Sequence, residues 1–230
     1  MSDDMSGWTA RLRPERTVLD GRFVRIEPLT LRHLDGLYDE ITVADTEAEQ
    51  RFAWLPDVPP PSRDALRPWL ERVVASDDPM FLAVIDKASG RVSGRQALMR
   101  IDQTFGVIEI GHIYWGPTIA RKPAATEPLY LMARHVFDDL GYRRFEWKCN
   151  DLNAPSKRAA LRFGFQAEGV FRQHMVVKGQ NRDTAWFAMI DKDWPALKAG
   201  YEAWLAPGNF DANGRQRRRL EECRQVAPFP

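Results

Sequence analysis

Hydrophobic and polar positions change their period several times along the chain, and each change marks an element. From Gly21, the stretch GRFVRIEPL sets Phe23, Arg25 and Glu27 against Val24 and Ile26, the alternation of a strand. After Thr30, apolar residues at Leu31, Leu34, Leu37, Tyr38 and Ile41 follow helical spacing behind a threonine cap. The proline-rich connector DVPPPSR leads to a second helix, capped by Ser62, with Leu66, Trp69, Leu70 and Val73 on one face. MFLAVIDKASGRVSGRQALMRID reads as two strands around the turn KASG, and VIEIGHIYWG as a third, an antiparallel meander.

The most regular helix is PLYLMARHVFDDLGY. Leu129, Met132, Ala133, Val136, Phe137 and Leu140 form its apolar stripe, Arg134, Asp138 and Asp139 lie opposite, and Gly141 ends it. RRFEWKCN follows as a strand, NAPSKRAALRF as a short helix stopped by Gly164, and two further strands lie in GVFRQHMVVKG and RDTAWFAMID. The predicted order is β-α-α-β-β-β-α-β-α-β-β. Residues 1–20 are polar and read as a mobile start, residues 21–192 as the domain, and residues 193–230 as a helical and basic extension.

Composition narrows the function. Lys+Arg 33 against Asp+Glu 32 leaves a net charge of +1, so no global field recruits nucleic acid or an anionic membrane. Arg215, Arg217, Arg218 and Arg219 make one charge run without interleaved aromatics, which fits a solvated helix better than an RNA contact. No leader or membrane-length apolar run is evident, and Cys149 and Cys223 lie far apart, so a reduced cytoplasmic setting is expected. Neither cysteine has a neighbour at metal-ligand spacing, and no metal is expected. Most of the eight tryptophans read as core, although Trp54, Trp115 or Trp147 could line an aromatic substrate slot.

The chemistry concentrates around IARKPAATEP, residues 120–129. Pro128 is comfortable only in the first turn of a helix, so the helix start lies near Ala125 to Glu127. The amides of Ala124, Ala125, Thr126 and Glu127 then face an anion at the positive end of the helix dipole, with Arg121 and Lys122 just upstream. A plain helix cap by Thr126 is the bland alternative.

The linear order of a meander, the strand EIGHIYW, this helix start, the strand FEWKCN and a short helix opening N-A-P-S and closing F-G-F resembles the GNAT superfamily of acyl-CoA-dependent N-acetyltransferases. E-I-G, A-T-E-P and N-A-P-S are most similar to the branch containing the bacterial ribosomal-protein N-terminal acetyltransferases. The resemblance spans roughly residues 20 to 192 and implies an α+β fold, a mixed and mostly antiparallel sheet with helices on both faces. It implies acetyl-CoA as acyl donor and a primary amine of a peptide N-terminus or small molecule as acceptor, and it is compatible with a homodimer; the composition points away from a membrane partner and disfavours a nucleic-acid one.

By that likeness ARKPAA stands where the pyrophosphate loop would stand, with Pro123 at an expected glycine. The pantetheine arm would lie along EIGHIYW, held by amides near Ile113, Tyr114 and Trp115, and would meet Asn153, which is also an ordinary helix cap. Ser156 matches a serine beside the departing thiolate, while the tyrosine that serves as acid in many members falls on Ala160. Glu109 and His112 are candidate bases, placed by strict strand alternation on opposite faces; Glu146 is a further one. The competing reading is a non-catalytic acyl-CoA- or nucleotide-binding module that lost turnover with the loop glycine and the tyrosine.

Overall fold

The structure, a computed structural model, describes residues 4–42 and 48–224. One sheet of eight strands organises it: β1 (Leu19–Asp20), β2 (Val24–Pro28), β3 (Met80–Asp86), β4 (Val92–Asp102), β5 (Val107–Trp115), β6 (Arg144–Asn150), β7 (Gln166–Val177) and β8 (Gln180–Ile190), in the order β1-β2-β3-β4-β5-β6-β8-β7. All neighbours are antiparallel except β5 and β6, which run parallel. A parallel pair needs a crossover, and the helix read from PLYLMAR supplies it: α4 (Glu127–Arg134), continued by a π-helical stretch His135–Asp139.

Two apolar layers cover the sheet. On one face α1 (Leu34–Thr42), the short α2 (Ala48–Phe52) and α3 (Arg63–Val74) bury Leu37, Phe52, Leu66 and Leu70 against Phe81, Ala83, Ala97 and Tyr114. On the other, α4, α5 (Ala154–Phe163) and α6 (Trp194–Leu205) close over Ile26, Leu82, Leu98, Ile108, Ile110, Phe145 and Trp147. The caps act as the sequence implies. Ser62 Oγ accepts from the Ala65 amide at 3.1 Å, Asn153 Oδ1 accepts from the Ser156 amide at 3.1 Å, and Gly164 ends α5 at φ 97°.

Three expectations change. The stripe on α4 is wider than an amphipathic surface helix needs, because every residue from Glu127 to Ala133 is buried. The reason is α6, whose Tyr201 and Trp194 pack on Tyr130, while the Tyr201 hydroxyl donates to the Phe163 carbonyl at 2.7 Å. The segment read as an extension thus belongs to the main core, as does α7 (Leu220–Cys223) through Leu220 and Cys223. Second, Arg215 to Arg219 precede α7 as a loop rather than a helix. Asn209 holds that loop, its Oδ1 accepting from the Arg218 amide at 2.9 Å and its Nδ2 donating to the Arg218 carbonyl at 3.2 Å.

Third, the polar start is tied to the body. Trp8 Nε1 donates to the Thr104 carbonyl (2.8 Å), Arg11 Nε to the Gly141 carbonyl (2.8 Å) and the Tyr142 hydroxyl to the Leu12 carbonyl (3.1 Å), and Leu19–Asp20 adds a strand before Gly21. Scattered tryptophan and arginine contacts of this kind leave no periodic trace in a sequence.

Candidate functional site

The site begins where β5 and β6 part. Their parallel pairing ends at Ile110 and Trp147, so Gly111–Trp115 and Lys148–Asn150 diverge without a strand between them. The gap opens through the sheet and joins its two faces in one cavity of about 630 Å³, within the usual range for a ligand pocket.

A bulge shapes the β5 wall. Arg95 pairs with Tyr114 and Ala97 with Gly111, so His112 and Ile113 together oppose Gln96, and His112 adopts φ 50°. Arg95 fixes this kink: its Nη1 donates to the His112 carbonyl at 3.0 Å, while its Nη2 pairs with Asp57 at 2.8 Å and its guanidinium lies 4.5 Å from the Trp69 ring. The bulge reverses side-chain parity, which corrects the expectation that Glu109 and His112 sit on opposite faces. Both point to the α1/α3 side, His112 against Phe81 with ring centroids 5.0 Å apart, and both line the cavity.

His112 is a poor base here. Burial, with a lesser contribution from Arg95, lowers its pKa to about 4, and its Nδ1 has no partner among the described residues. Glu109 is buried, and its Oε2 receives both Arg100 Nη1 (2.7 Å) and Lys148 Nζ (2.9 Å), leaving Oε1 without a hydrogen-bond partner among the described residues. Glu146 is withdrawn from the cavity into ion pairs with Lys148 and Arg144.

On the opposite face Ser156, in the first turn of α5, lines the same cavity. Trp147 Nε1 donates to its Oγ at 3.0 Å, and the hydroxyl also touches Cys149, whose thiol burial pushes up. Asn153 and Ala159 border the cavity beside it. Ala160 is wholly buried, so the position of the family tyrosine is a packing position in this chain. Trp115 and Trp147 pack on Phe163 on this side and Trp54 lies on the other, and all three line the cavity.

The loop before α4 is a tight 3₁₀ turn over Pro123–Ala125. Its left-handed residue is Arg121, at φ 61°, so the glycine-like conformation exists two residues before Pro123. The amides of Ala125 and Thr126 already donate to the Lys122 and Pro123 carbonyls at 3.0 and 2.9 Å, which narrows the expected four-amide cradle. Those of Arg121 and Ala124 have no backbone acceptor among the described residues. Thr126 makes no cap; its hydroxyl accepts from Arg162 Nη1 at 3.0 Å. Glu127 faces away, its carboxylate accepting from the Arg22, Phe23 and Val24 amides at 2.6 to 2.8 Å. Lys122 Nζ is exposed and donates to the Thr118 carbonyl at 2.7 Å.

Sequence reasoning missed Arg95, Arg162 and Arg182. None sits in a motif; Arg95 and Arg162 matter through contacts with distant elements, and Arg182 through its place on the cavity wall. Among the described residues no group of His, Cys, Asp and Glu is placed to hold a metal ion.

A parallel strand pair that splays over a bulge, beside a helix start and an Asn-capped helix, defines a recognisable class. The family model of the acetyltransferase (GNAT) domain matches residues 24–166. The chain belongs to the GNAT family and is an N-acetyltransferase. The solved structure of a GCN5-related N-acetyltransferase from Brucella melitensis is 59% identical, covers 96% of this chain and 99% of its own, and superposes with a TM-score of 0.93. An uncharacterized N-acetyltransferase, YokL, derived from the SPbeta prophage of Bacillus subtilis, is 25% identical over 73% of this chain and 93% of its own length. The microcin C7 self-immunity acetyltransferase MccE, solved in complex with acetyl-CoA and AMP, shares the fold at 20% identity and a TM-score of 0.63, over 74% of this chain and 93% of its own.

Proposed function

We propose that this enzyme transfers an acetyl group from acetyl-CoA directly to a primary amine, the cosubstrate entering the gap between β5 and β6 from the α4/α5 side and the amine arriving from the α1/α3 side. The observation that carries the reading is the single cavity that runs through the sheet, with Ser156 on one face and Glu109 on the other. The residues present fit the cosubstrate. Two alanines and the Arg121 and Ala124 amides leave room and donors for a pyrophosphate, with Arg121 and Lys122 adding charge, and Asn153 borders the path of a pantetheine arm. MccE, which shares the fold, binds acetyl-CoA.

When bound, acetyl-CoA supplies an activated acyl carbon on a thioester. Glu109 Oε1 draws the acceptor ammonium into place and takes its proton, directly or through water. The strand edge at Ile113–Trp115, held by the bulge, presents backbone donors where negative charge develops on oxygen. Ser156 gives its proton to the departing sulfur and recovers one, through water, as the newly acylated nitrogen loses its second proton; the proton taken by Glu109 goes to solvent. In sum an N–C bond forms, the C–S bond breaks, and one proton passes to solvent. His112, neutral near pH 7, shapes the wall and transfers no proton in this reading.

A cytoplasmic setting belongs to the same reading. Both cysteines are free and buried, and no helix among the described residues is long and apolar enough to cross a membrane. The test is release of free thiol from acetyl-CoA in the presence of a panel of primary amines. Amine-dependent thiol release with a stoichiometric N-acetyl product is the expected result; amine-independent hydrolysis alone contradicts the reading.

A further inference from the structure

Charge on the acceptor side of the cavity is unbalanced. Arg100 and Lys148 are both answered by Glu109, Lys148 by Glu146 as well, and Arg95 by Asp57. Arg182 is not answered. It lies on β8 on the same sheet face as Lys148, because Lys148 pairs with Trp186 and Thr184 with Asn150, and it lines the cavity. Its Nε donates to Thr184 Oγ1 at 3.2 Å, and no carboxylate among the described residues lies within ion-pair distance of it. It is half-buried, and burial lowers its pKa, a cost that an ion pair would offset. Glu109 is near enough to interact with it electrostatically without touching it.

Arg51 also lines this side, held by the Ile41 carbonyl at 2.9 Å and the Tyr114 hydroxyl at 3.3 Å. Among the described residues the cavity thus presents a carboxylate oxygen of Glu109 without a hydrogen bond and, on the same sheet face, the Arg182 guanidinium without a carboxylate within ion-pair distance. Apolar side chains line the same cavity: Trp54 and Leu55 after α2, and Met175 and Val177 on β7, beside Arg182. Lys178, at the β7–β8 turn, donates to the Phe52 carbonyl at 3.0 Å and ties the two walls together.

We infer that Arg182 is a specificity residue that binds a carboxylate on the acceptor, so that the substrates are amines carrying a nearby carboxylate and an apolar side chain, as in a free α-amino acid. The inference rests on the acetyltransferase reading above. Glu109 Oε1 takes the ammonium, Arg182 the carboxylate by a paired hydrogen bond, and the apolar wall the side chain. A guanidinium left unpaired in the cavity discriminates against acceptors that cannot neutralise it.

The experiment compares the wild type and Arg182→Met with phenylalanine, phenylalaninamide and 2-phenylethylamine as acceptors, and a short peptide with a free N-terminus and an amidated C-terminus as a further arm. For the wild type, kcat/KM should favour the free acid over its amide by about 10- to 100-fold, the range for a hydrogen-bonded charged pair. In Arg182→Met that preference should collapse through a raised KM for the acid, with the KM for acetyl-CoA unchanged. A melting temperature within a few degrees of wild type and retained acetylation of phenylethylamine show that the variant folds; if it does not, Arg182→Lys replaces it, with a partial loss of the preference expected. Equal rates on acid and amide, or a preference for the amidated peptide, overturn the inference while leaving acetyl transfer standing. Failure to acetylate any of these amines, with acetyl-CoA bound, overturns both.

Discussion

Trp147 donates its indole N–H to Ser156 Oγ at 3.0 Å, which joins the last residue of β6 that pairs with β5 to the first turn of α5. The bond occupies a lone pair of the hydroxyl and leaves its proton to point elsewhere, the arrangement a proton donor needs. Ser156→Ala should lower kcat by about 10²- to 10⁴-fold, the typical contribution of general acid catalysis, with acetyl-CoA affinity nearly unchanged. Trp147→Phe should lower kcat by about tenfold or less. Single-turnover thiol release and calorimetry check both. A Ser156→Ala enzyme with full turnover assigns the proton to water.

Asn153 has two duties in this account. Loss of its cap in Asn153→Ala should cost on the order of 1 kcal/mol, a fall of about 2–4 °C in melting temperature for a chain of this size. Acetyl-CoA binding should weaken as well. Unchanged affinity with lowered stability would leave Asn153 a cap and nothing more.

The folded-state pKa of His112, about 4, lies below its ordinary value of 6.5, so the unfolded chain binds the proton more readily. Stability from the neutral ring is fully present above pH 6.5 and is lost as pH falls toward 4, by on the order of 3 kcal/mol in all. Denaturant melts of His112→Asn should show a flatter dependence over pH 4 to 6.5 than the wild type. Its removal should leave no mark on the rate profile between pH 6 and 8.

Much of this was legible in the sequence and some was not, for physical reasons. Strand and helix periods, the Ser62 and Asn153 caps and the Pro128-fixed start of α4 are local, and the chain records them locally. The β5 bulge is held by Arg95 from the neighbouring strand and by Asp57 beyond it, so strict alternation misplaces His112. Burial of the far side of α4 depends on α6, some sixty residues later, and a stripe cannot show it. Arg182 carries meaning only because of what is missing around it in space.

Arg121 holds a left-handed backbone that a glycine would adopt without strain. Arg121→Gly should therefore raise stability by about 1 kcal/mol and weaken acetyl-CoA binding at low salt, the binding difference shrinking as salt rises. Thermal melts with and without the cosubstrate at two ionic strengths separate the two effects. Unchanged affinity at low salt removes Arg121 from the phosphate site.

The central claim is that acetyl-CoA occupies the gap between β5 and β6, and a crystal structure of the enzyme with acetyl-CoA tests it most directly. The account predicts the pyrophosphate against the Arg121–Ala124 turn, the pantetheine arm between Gly111–Trp115 and Lys148–Asn150 near Asn153, and the thioester sulfur beside Ser156 Oγ. Density for the cosubstrate outside that gap, or a sulfur remote from Ser156 with the gap closed, would contradict it.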